Sequence, residues 1–253
     1  WAAKDIKLNA TFFVNSDFYA LIPIEHPDNW VPRETKIDIN DSARLQGASV
    51  ILKAQSEDLT FEALIGASGF ASSFIITPLQ EMIEENLALP VKLAIRKSNS
   101  AVNVNTGVEI IGTGGVSIEA VATAQANGVA ASTKNFPSPF SVGYAHAEAD
   151  ARVNIKGTAS IQASEAIVIG STGNSVASIE AQMKGTTEVG FGLTVGYSNL
   201  VSKTTVEENV VISAGKSVNI IGDGTNATQT NSQAHTKKGG KLAIGTAVTL
   251  SYS

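Results

Sequence analysis

The sequence contains no cysteine. Disulfides, thiolate metal ligands and a cysteine nucleophile are therefore all excluded. Proline is scarce, with 7 in 253 residues, and aromatic residues make up only 6% of the chain. With so few large side chains, the sequence favours thin layers of small and β-branched residues, which suit stacked strands better than a thick globular core.

Charge is also limited. Charged residues make up 16% of the chain, the formal net charge is −5 and the pI is about 5.3. The sequence has no basic stripe, and its one basic cluster (Lys237, Lys238 and Lys241) has the Gly-rich setting of a solvated turn. Binding to nucleic acid through bulk electrostatics is therefore not expected.

Long apolar runs are missing as well. No run reaches the roughly 18 apolar residues that suggest a membrane span, so we expect none. The sequence shows no secretion signal, and Trp1 is not an initiator methionine. Ser253 ends within a strand pattern. We therefore expect the chain to be part of a longer protein whose targeting signals lie elsewhere.

A repeated strand pattern dominates what is present. Residues 151–170 read ARVNIKGTASIQASEAIVIG, with apolar residues at every second position, which predicts strands that bury one face. The corresponding aliphatic residues recur at a step of 51 residues (155 − 104 and 206 − 155). A fixed period over three copies predicts stacked units, and hence an all-β repeat β-solenoid. The predicted stacking residues are Val104, Ile110, Val116 and Ile118; Ile155, Ile161, Ile167 and Ile169; and Val206, Ile212, Val218 and Ile220.

The repeats divide the chain into two continuous parts. Residues 98–253 hold three 51-residue repeats, the last truncated, and residues 1–97 form an irregular first repeat. From Ile39 to Val104 is 65 residues, which is 14 more than the period (104 − 39 − 51). The 14 residues of Thr77–Pro90 carry helix signals, because Thr77 can cap and Pro78 suits the first helical position. We therefore predict one short inserted helix at about 77–89.

Each repeat also contains a returning strand: Phe140–Tyr144, Thr194–Tyr197 or Thr249–Tyr252. Because the loop before this strand varies in length while the 51-residue step does not, we predict antiparallel hairpin extensions that form a second sheet beside the solenoid. In Tyr144–Arg152, alanine occupies every second position. An alanine face implies close approach of the layer opposite.

Thr11–Arg33 departs from the pattern. It holds three prolines, which cannot donate to a ladder, so we predict an irregular excursion from the sheets. Its aromatic residues are candidates for contact with a neighbouring chain or a glycan. They are Phe12, Phe13, Phe18, Tyr19 and Trp30.

The polar residues with the most chemical potential are His146, Glu148, Asp150 and Arg152, which alternate and so share one strand face. Acids and bases in a row on a solenoid face are compatible with carbohydrate cleavage. A self-paired, solvated outer face is the alternative and is favoured, because the equivalent positions after Tyr197 carry no acid. We therefore predict no catalytic residue and no enzyme.

Metal and cofactor signals are weak. The three histidines, His26, His146 and His235, are far apart in sequence and lack partners at ligand spacing, so we predict no zinc site. Two acid-containing segments, Gly222-Asp223-Gly224 with Asn226 and Asn40-Asp41, have the composition of turns that can bind calcium. The Gly-rich nonapeptide repeat of calcium solenoids is absent, and a glycine corner explains the first segment. No cofactor is predicted.

One resemblance follows from the repeat residues. Strands such as IGTAVTLSYS (244–253), preceded by Gly-rich turns, together with ASIQA and AIVIG in 159–170, resemble the repeats of giant bacterial filamentous adhesin-like surface proteins, of the leukotoxin-like filamentous adhesin type. The resemblance covers residues 98–253 well and Thr35–Leu64 loosely, and the segments Thr11–Arg33 and Thr77–Pro90 depart from it. It implies an exported, extended stalk or fibre at the cell surface.

Together, the repeats and the resemblance predict a non-catalytic structural segment of a long extracellular bacterial fibre or adhesin stalk. Its partners would be like repeats or neighbouring copies of itself, with a glycan or cell-surface ligand as a further candidate. The alternative is a carbohydrate-binding or carbohydrate-cleaving β-solenoid.

Overall fold

A computed structural model describes residues 6–14, 33–59, 91–132, 138–183 and 188–253. Most of these residues are in β-strands. In chain order the strands are β1 (Ile6–Val14), β2 (Arg33–Ile39), β3 (Arg44–Gly47), β4 (Val50–Leu59), β5 (Val91–Val104), β6 (Glu109–Gly112), β7 (Val116–Ser132), β8 (Phe140–Ile155), β9 (Ser160–Ala163), β10 (Ala166–Met183), β11 (Val189–Val206), β12 (Val211–Ala214), β13 (Ser217–Gln233) and β14 (Leu242–Tyr252).

The strands form three parallel sheets. The first long sheet has the order β1-β4-β7-β10-β13, the second long sheet β14-β11-β8-β5-β2, and the short sheet β12-β9-β6-β3. The chain runs along a strand of the second long sheet, through a short strand and into a strand of the first, and then repeats. From β5 onward one coil takes 51 residues, and each strand pairs with its equivalent in the next coil, as in Ile110 with Ile161 and Ile161 with Ile212. This architecture is compatible with a β-solenoid, as the sequence pattern predicts.

The predicted antiparallel hairpins are wrong. Every strand pairing among the described residues is parallel, and β7 and the returning β8 belong to different sheets. The long strands are also continuous: β10 contains both the Ile167–Ile169 segment and the Ala-rich residues that follow it. A hairpin is not needed, because the next coil already satisfies the backbone groups of each long strand.

The structure describes only the two ends of the predicted irregular excursion, Thr11–Arg33, and none of the predicted helix. Strand β1 extends to Val14 and pairs with β4, so residues 11–14 are regular rather than irregular. The predicted helix at 77–89 lies outside the described residues. The pairing step falls from 66 at Leu59↔Gln125 to 51 at Val91↔Val142, so the surplus residues fall between these pairs, within 60–90. Strand β5 runs across the division predicted at 97/98.

Tight turns join the second long sheet to the short sheet. Ser42, Gly107 and Asn209 occupy equivalent turn positions with φ of 60°, 72° and 65°. In the remaining coil, Gly157 takes the positive φ one position earlier. Glycine and asparagine adopt this left-handed conformation at low cost, which explains why those residue types recur there.

The core changes character along the strands. Near the short sheet three sheets meet, and the inward residues are large aliphatics such as Ile161, Ile167 and Ile169, all fully buried. Farther along, only the two long sheets face each other, and most inward residues become alanine, serine and glycine. The large exceptions, Ile179 and Met183, lie opposite glycines, Gly143 and Gly190, where no side chain competes for the space. Side-chain size thus follows the width of the space enclosed.

Serines bridge the narrow part of the core. The hydroxyl of Ser141 donates to the carbonyl of Ala130 (2.6 Å), Ser100 to Ala54 (2.7 Å), and Ser175 to Ala147 (2.9 Å). A serine side chain is short, so these bonds require the two backbones to lie well within the roughly 10 Å usual for facing sheets. The alanine face predicted from the sequence therefore faces inward.

Candidate functional site

A hydrogen-bonded row lies on the outward face of the second long sheet. Tyr144, His146 and Glu148 are alternate residues of β8, so all three point away from the alanine face. The Tyr144 hydroxyl is 3.0 Å from His146 Nδ1, and His146 Nε2 is 2.7 Å from Glu148 Oε1. Lys97, which pairs in register with Glu148 on the neighbouring β5, places its Nζ 2.9 Å from Glu148 Oε2.

The charged groups of this row determine which of its atoms carry a proton. Burial acts to raise the pKa of the Glu148 carboxyl, but the hydrogen bonds from Lys97 and His146 outweigh it and hold that pKa below its ordinary value. An ionised carboxylate only accepts hydrogen bonds, so His146 Nε2–H donates to Glu148. In the neutral ring, Nδ1 then accepts the proton of Tyr144. Burial, with the nearby Glu148 charge, raises the pKa of the Tyr144 hydroxyl, which therefore remains a donor.

Aromatic rings continue the row across coils. His146 and Tyr197 pair in register, with ring centroids 4.5 Å apart, and Tyr197 is 5.7 Å from Tyr252. On the other side, Tyr144 and His146 line a half-open groove of about 340 Å³ together with Leu93, Ile95 and Lys97. The lining is mainly apolar with polar groups at one end, which is the composition of a surface that can hold a small polar ligand against a ring.

The predicted four-residue constellation splits into two parts. His146 and Glu148 join Tyr144 and Lys97, whereas Asp150 bonds to Arg152 (Asp150 Oδ1 to Arg152 Nε, 2.7 Å). That hydrogen bond raises the pKa of Arg152. Each carboxylate is thus engaged by a cation. Cleavage of a glycosidic bond needs an acid whose pKa is raised so that it holds a proton, and Glu148 is shifted in the opposite direction.

The predicted stacking residues lie in four rows across the coils. Val104 pairs with Ile155 and Ile155 with Val206, and the rows that begin at Ile110, Val116 and Ile118 follow the same 51-residue step. In the two inner coils these side chains are buried. In the last coil Val206 and Ile212 are partly buried, whereas Val218 is 43% exposed and Ile220 50%, against 0% for Ile167 and Ile169.

Sequence reasoning missed an apolar surface on the second long sheet. It consists of the outward positions of residues 91–95, 140–144, 189–197 and 242–250, and is called the apolar panel below. All these positions are apolar or aromatic except Thr246. Phe140 is 44% exposed and Phe191 40%. The signal was present, because apolar residues alternate with Gly and Thr in 189–197, but alternation does not say which face is inside.

A buried ion pair was also missed. Arg96 and Asp58 face each other across the narrow core, with Arg96 Nε 3.5 Å from Asp58 Oδ1. Arg96 Nη1 donates to the Ile95 carbonyl (2.7 Å), and the Lys97 backbone N–H donates to Asp58 Oδ2 (3.1 Å). These contacts offset the desolvation of two charges in an otherwise uncharged part of the core. The two residues are far apart in sequence, and nothing in the strand pattern pairs them.

The aromatic contact candidates are only partly described. Phe12 and Phe13 lie in β1, where their backbones pair with Ser56 and Glu57. Phe18, Tyr19 and Trp30 lie outside the described residues, as does His26.

The two acid-containing segments considered for calcium gain no ligand set. Gly222, Asp223 and Gly224 lie inside strand β13, so the prediction of a turn there is wrong, because the parallel register with β10 continues through them. Asn40 and Asp41 do lie at a turn. Among the described residues, no group of three or more His, Cys, Asp or Glu side chains could hold a metal ion. The lysine cluster is paired, since Lys237 and Lys241 both contact Glu188 (3.0 and 3.5 Å).

Comparison with known proteins adds no identification. No protein-family model, no curated protein and no solved structure matches the chain. The part of the chain that the structure describes contains no helix with the length and apolarity needed to cross a bilayer. Inferences about function therefore depend on the geometry of the coils and on the residue patterns themselves.

Proposed function

We propose that the chain is a non-catalytic structural segment of a long extracellular bacterial fibre or adhesin stalk, built by stacking coils. One observation supports this most strongly. The last coil presents the same inward aliphatic positions as the coils before it, yet Val218 and Ile220 are half exposed where Ile167 and Ile169 are fully buried. A surface of this kind is complementary to one more coil of the same design.

The backbone supports the same conclusion. Among the described strands, β13 pairs with β10 and β14 with β11, so each presents its other edge to a further strand. Exposed edges of long, regular strands are templates for further pairing. In solenoids each unit contacts its neighbours and gains stability from them, so stacking extends the array by about 4.8 Å per coil.

The side chains of the last coil also limit which surface can cover it. Near the short sheet it offers aliphatics, but farther along the last coil carries hydroxyls: Thr228 donates to the Leu250 carbonyl (3.1 Å), and Thr230 and Thr249 share a hydrogen bond of 2.7 Å. A covering coil must therefore match aliphatic residues with aliphatic residues and hydroxyls with polar groups. Another coil of this repeat pattern provides such an arrangement more readily than an unrelated surface.

End-to-end association of the chain tests the stacking proposal. We expect sedimentation velocity and negative-stain electron microscopy to show linear assemblies that lengthen with concentration. Ile220→Glu places a charge on the covering surface at a position half exposed in the single chain, so the fold should persist while the assemblies shorten or disappear. Asn219→Glu, on the outward side of the same strand, is the matched control and should assemble. A chain that shows no end-to-end association at any concentration would contradict the proposal.

The cell-surface part of the proposal is supported by the resemblance of residues 98–253 to surface-protein repeats. Antibodies against the chain should label intact cells of the source bacterium without permeabilisation. Labelling that requires permeabilised cells would place the segment inside and refute the extracellular role.

Carbohydrate binding is the second candidate, and the row of Tyr144, His146 and Glu148 beside the groove favours it. An aromatic ring can stack on a sugar while neighbouring charged groups, here Glu148 and Lys97, bond its hydroxyls. Titration with oligosaccharides should show saturable binding that His146→Ala weakens and Asn174→Ala, on the other long sheet, leaves unchanged. Release of reducing or unsaturated sugar ends, lost in Asp150→Ala, would instead indicate cleavage.

Contact of the aromatic residues of Thr11–Arg33 with a neighbouring chain or a glycan remains a separate prediction. Replacing residues 15–32 with a short Gly-Ser linker spares β1 and β2 and still connects their two sheets, so the β spectrum should persist. Loss of assembly or adhesion in that variant would assign partner contact to the segment, and unchanged behaviour would remove it from consideration.

A further inference from the structure

The two long sheets have different outer faces. The outward side of β10 is mainly polar, with Thr172, Asn174, Ser178 and Glu180, and its aliphatic residues, Val168 and Val176, are separated by polar ones. The corresponding side of the second long sheet carries the apolar panel. The inward positions of β11 and β14 behind the panel, within 190–196 and 243–249, carry only glycine, alanine and threonine, so the largest apolar side chains of this part of the two strands point away from the core. This inverts the usual arrangement in which the apolar face of a sheet is buried.

We infer that the apolar panel is a lateral interface at which two copies of this chain pack face to face. This association runs sideways to the coil axis and does not depend on end-to-end stacking. It would make the assembled unit a pair of solenoids with the polar faces outward.

The size of the panel fits this occupant. Each outward residue occupies roughly 4.8 Å across the sheet and 6.7 Å along the strand, which gives the panel a flat area of about 500 Å². Two panels together bury about 1,000 Å², which is at the threshold for a specific protein interface. The panel is also at the upper end of the range for apolar patches on monomers. Each added coil contributes another strand, so the lateral contact strengthens as the array lengthens.

The shape and chemistry of the panel favour another copy over other occupants. Its rows repeat from coil to coil, as Phe140, Phe191 and Ile244 show in one register row. A second sheet with the same two spacings can interdigitate with these rows, as the sheets of a sandwich do. A bilayer is a poorer match, because the formal net charge is −5 and the panel has no basic residue. Surfaces that bind anionic membranes are rich in lysine and arginine.

The panel is bordered on one side by charges. Lys97 and Glu148 follow the last apolar row, and beyond them Asp150 pairs with Arg152. These groups satisfy one another within a single copy, so they can form a hydrated rim without needing charged partners. A hydrophobic centre with a polar rim is the usual organisation of a protein interface.

The test uses the Ile220→Glu chain, in which end-to-end stacking is blocked, so that lateral association is measured alone. Sedimentation equilibrium is expected to show a reversible dimer. Adding Phe191→Glu, at a position exposed in the single chain, should raise the dissociation constant by about a hundredfold or more, because each copy would bury an unpaired charge. Thr172→Glu, an exposed position on the polar sheet with the same charge change, should leave the constant unchanged. Circular dichroism checks that all variants retain the fold.

Two results would overturn the inference. One is an Ile220→Glu chain that stays monomeric over the whole concentration range. This result would exclude the lateral interface without contradicting the end-to-end stacking proposal. The other is a dimer that Thr172→Glu weakens as much as Phe191→Glu does. Flotation with phosphatidylcholine vesicles, and with vesicles that also contain phosphatidylserine as an anionic lipid, completes the test. Binding to vesicles that Phe191→Glu abolishes would assign the panel to a lipid surface instead.

Discussion

The inward row of Ile110, Ile161 and Ile212 allows a direct test of the stacked core. All three residues occupy the same position of the short sheet in successive coils. Ile110 and Ile161 are fully buried, whereas Ile212 is only partly buried because it belongs to the last described coil. Replacing each isoleucine with alanine therefore removes the same atoms from sites that differ only in burial.

The expected magnitudes follow from burial. Ile→Ala removes three carbon groups at about 0.8 kcal/mol each, and the cavity left in a fully covered site adds to this. Ile161→Ala and Ile110→Ala should each lower the free energy of unfolding by about 3–4 kcal/mol. Ile212→Ala should cost roughly half as much, because part of its surface is already in water. Val211→Ala, on the outward side and 56% exposed, should change stability by less than about 0.5 kcal/mol.

Urea unfolding followed by far-ultraviolet circular dichroism measures these differences, at a concentration where the chain is monomeric. The comparison is valid where the slope of the free energy against urea is the same for every variant. Equal losses of unfolding free energy for Ile161→Ala and Val211→Ala would refute the stacking of equivalent buried residues in successive coils. Equal costs for Ile161→Ala and Ile212→Ala would show that the last coil is covered rather than open.

Three further predictions concern other parts of the structure. In urea unfolding, Gly215→Ala should destabilise by about 1–3 kcal/mol, because its Cβ would lie 2.1 Å from the Ser164 carbonyl oxygen, whereas Gly170→Ala should be tolerated, with its nearest neighbour at 3.7 Å. Arg96→Met alone should cost about 3–5 kcal/mol, and adding Asp58→Leu should recover most of the loss; a double variant as unstable as the single one would contradict a desolvation penalty. Glu148 has a lowered pKa, so its contribution to stability should be present above its ordinary pKa of 4.5 and be lost as the pH falls through its folded value. The stability gap between the wild type and Glu148→Gln should therefore close in acid, and a gap that does not change with pH would refute this account.

The period and the inward rows could be predicted from the sequence because equivalent aliphatics recur at one step. The sheet arrangement could not, since alternation with a period of two is the same in an antiparallel hairpin and in a parallel stack. The segment 189–197 illustrates a second limit. Its apolar residues point outward and its glycines inward, because the opposite sheet approaches these glycines closely: a Cβ at Gly192 would lie 2.6 Å from Ser232 Oγ, and one at Gly196 2.6 Å from Thr228 Cγ2. Only the distance between the sheets decides which of the two alternating sets is buried.

The candidate site was predictable in composition but not in connectivity. His146, Glu148, Asp150 and Arg152 share a face as expected, yet Lys97 and Tyr197 reach the row from neighbouring strands. Which side chains lie beside Glu148 depends on the register between coils. Neither lysine nor tyrosine stands out in the sequence of its own strand.

The links between the two long sheets vary in length while the strands of successive coils keep their register. Adjacent coils are only about 4.8 Å apart, so bulky insertions in many consecutive coils would crowd one another. The longest link, residues 60–90, comes after the long link 15–32, but it is followed by the brief connections at 133–139 and 184–188. In a longer array, this crowding would limit how many coils in succession can carry a large insertion.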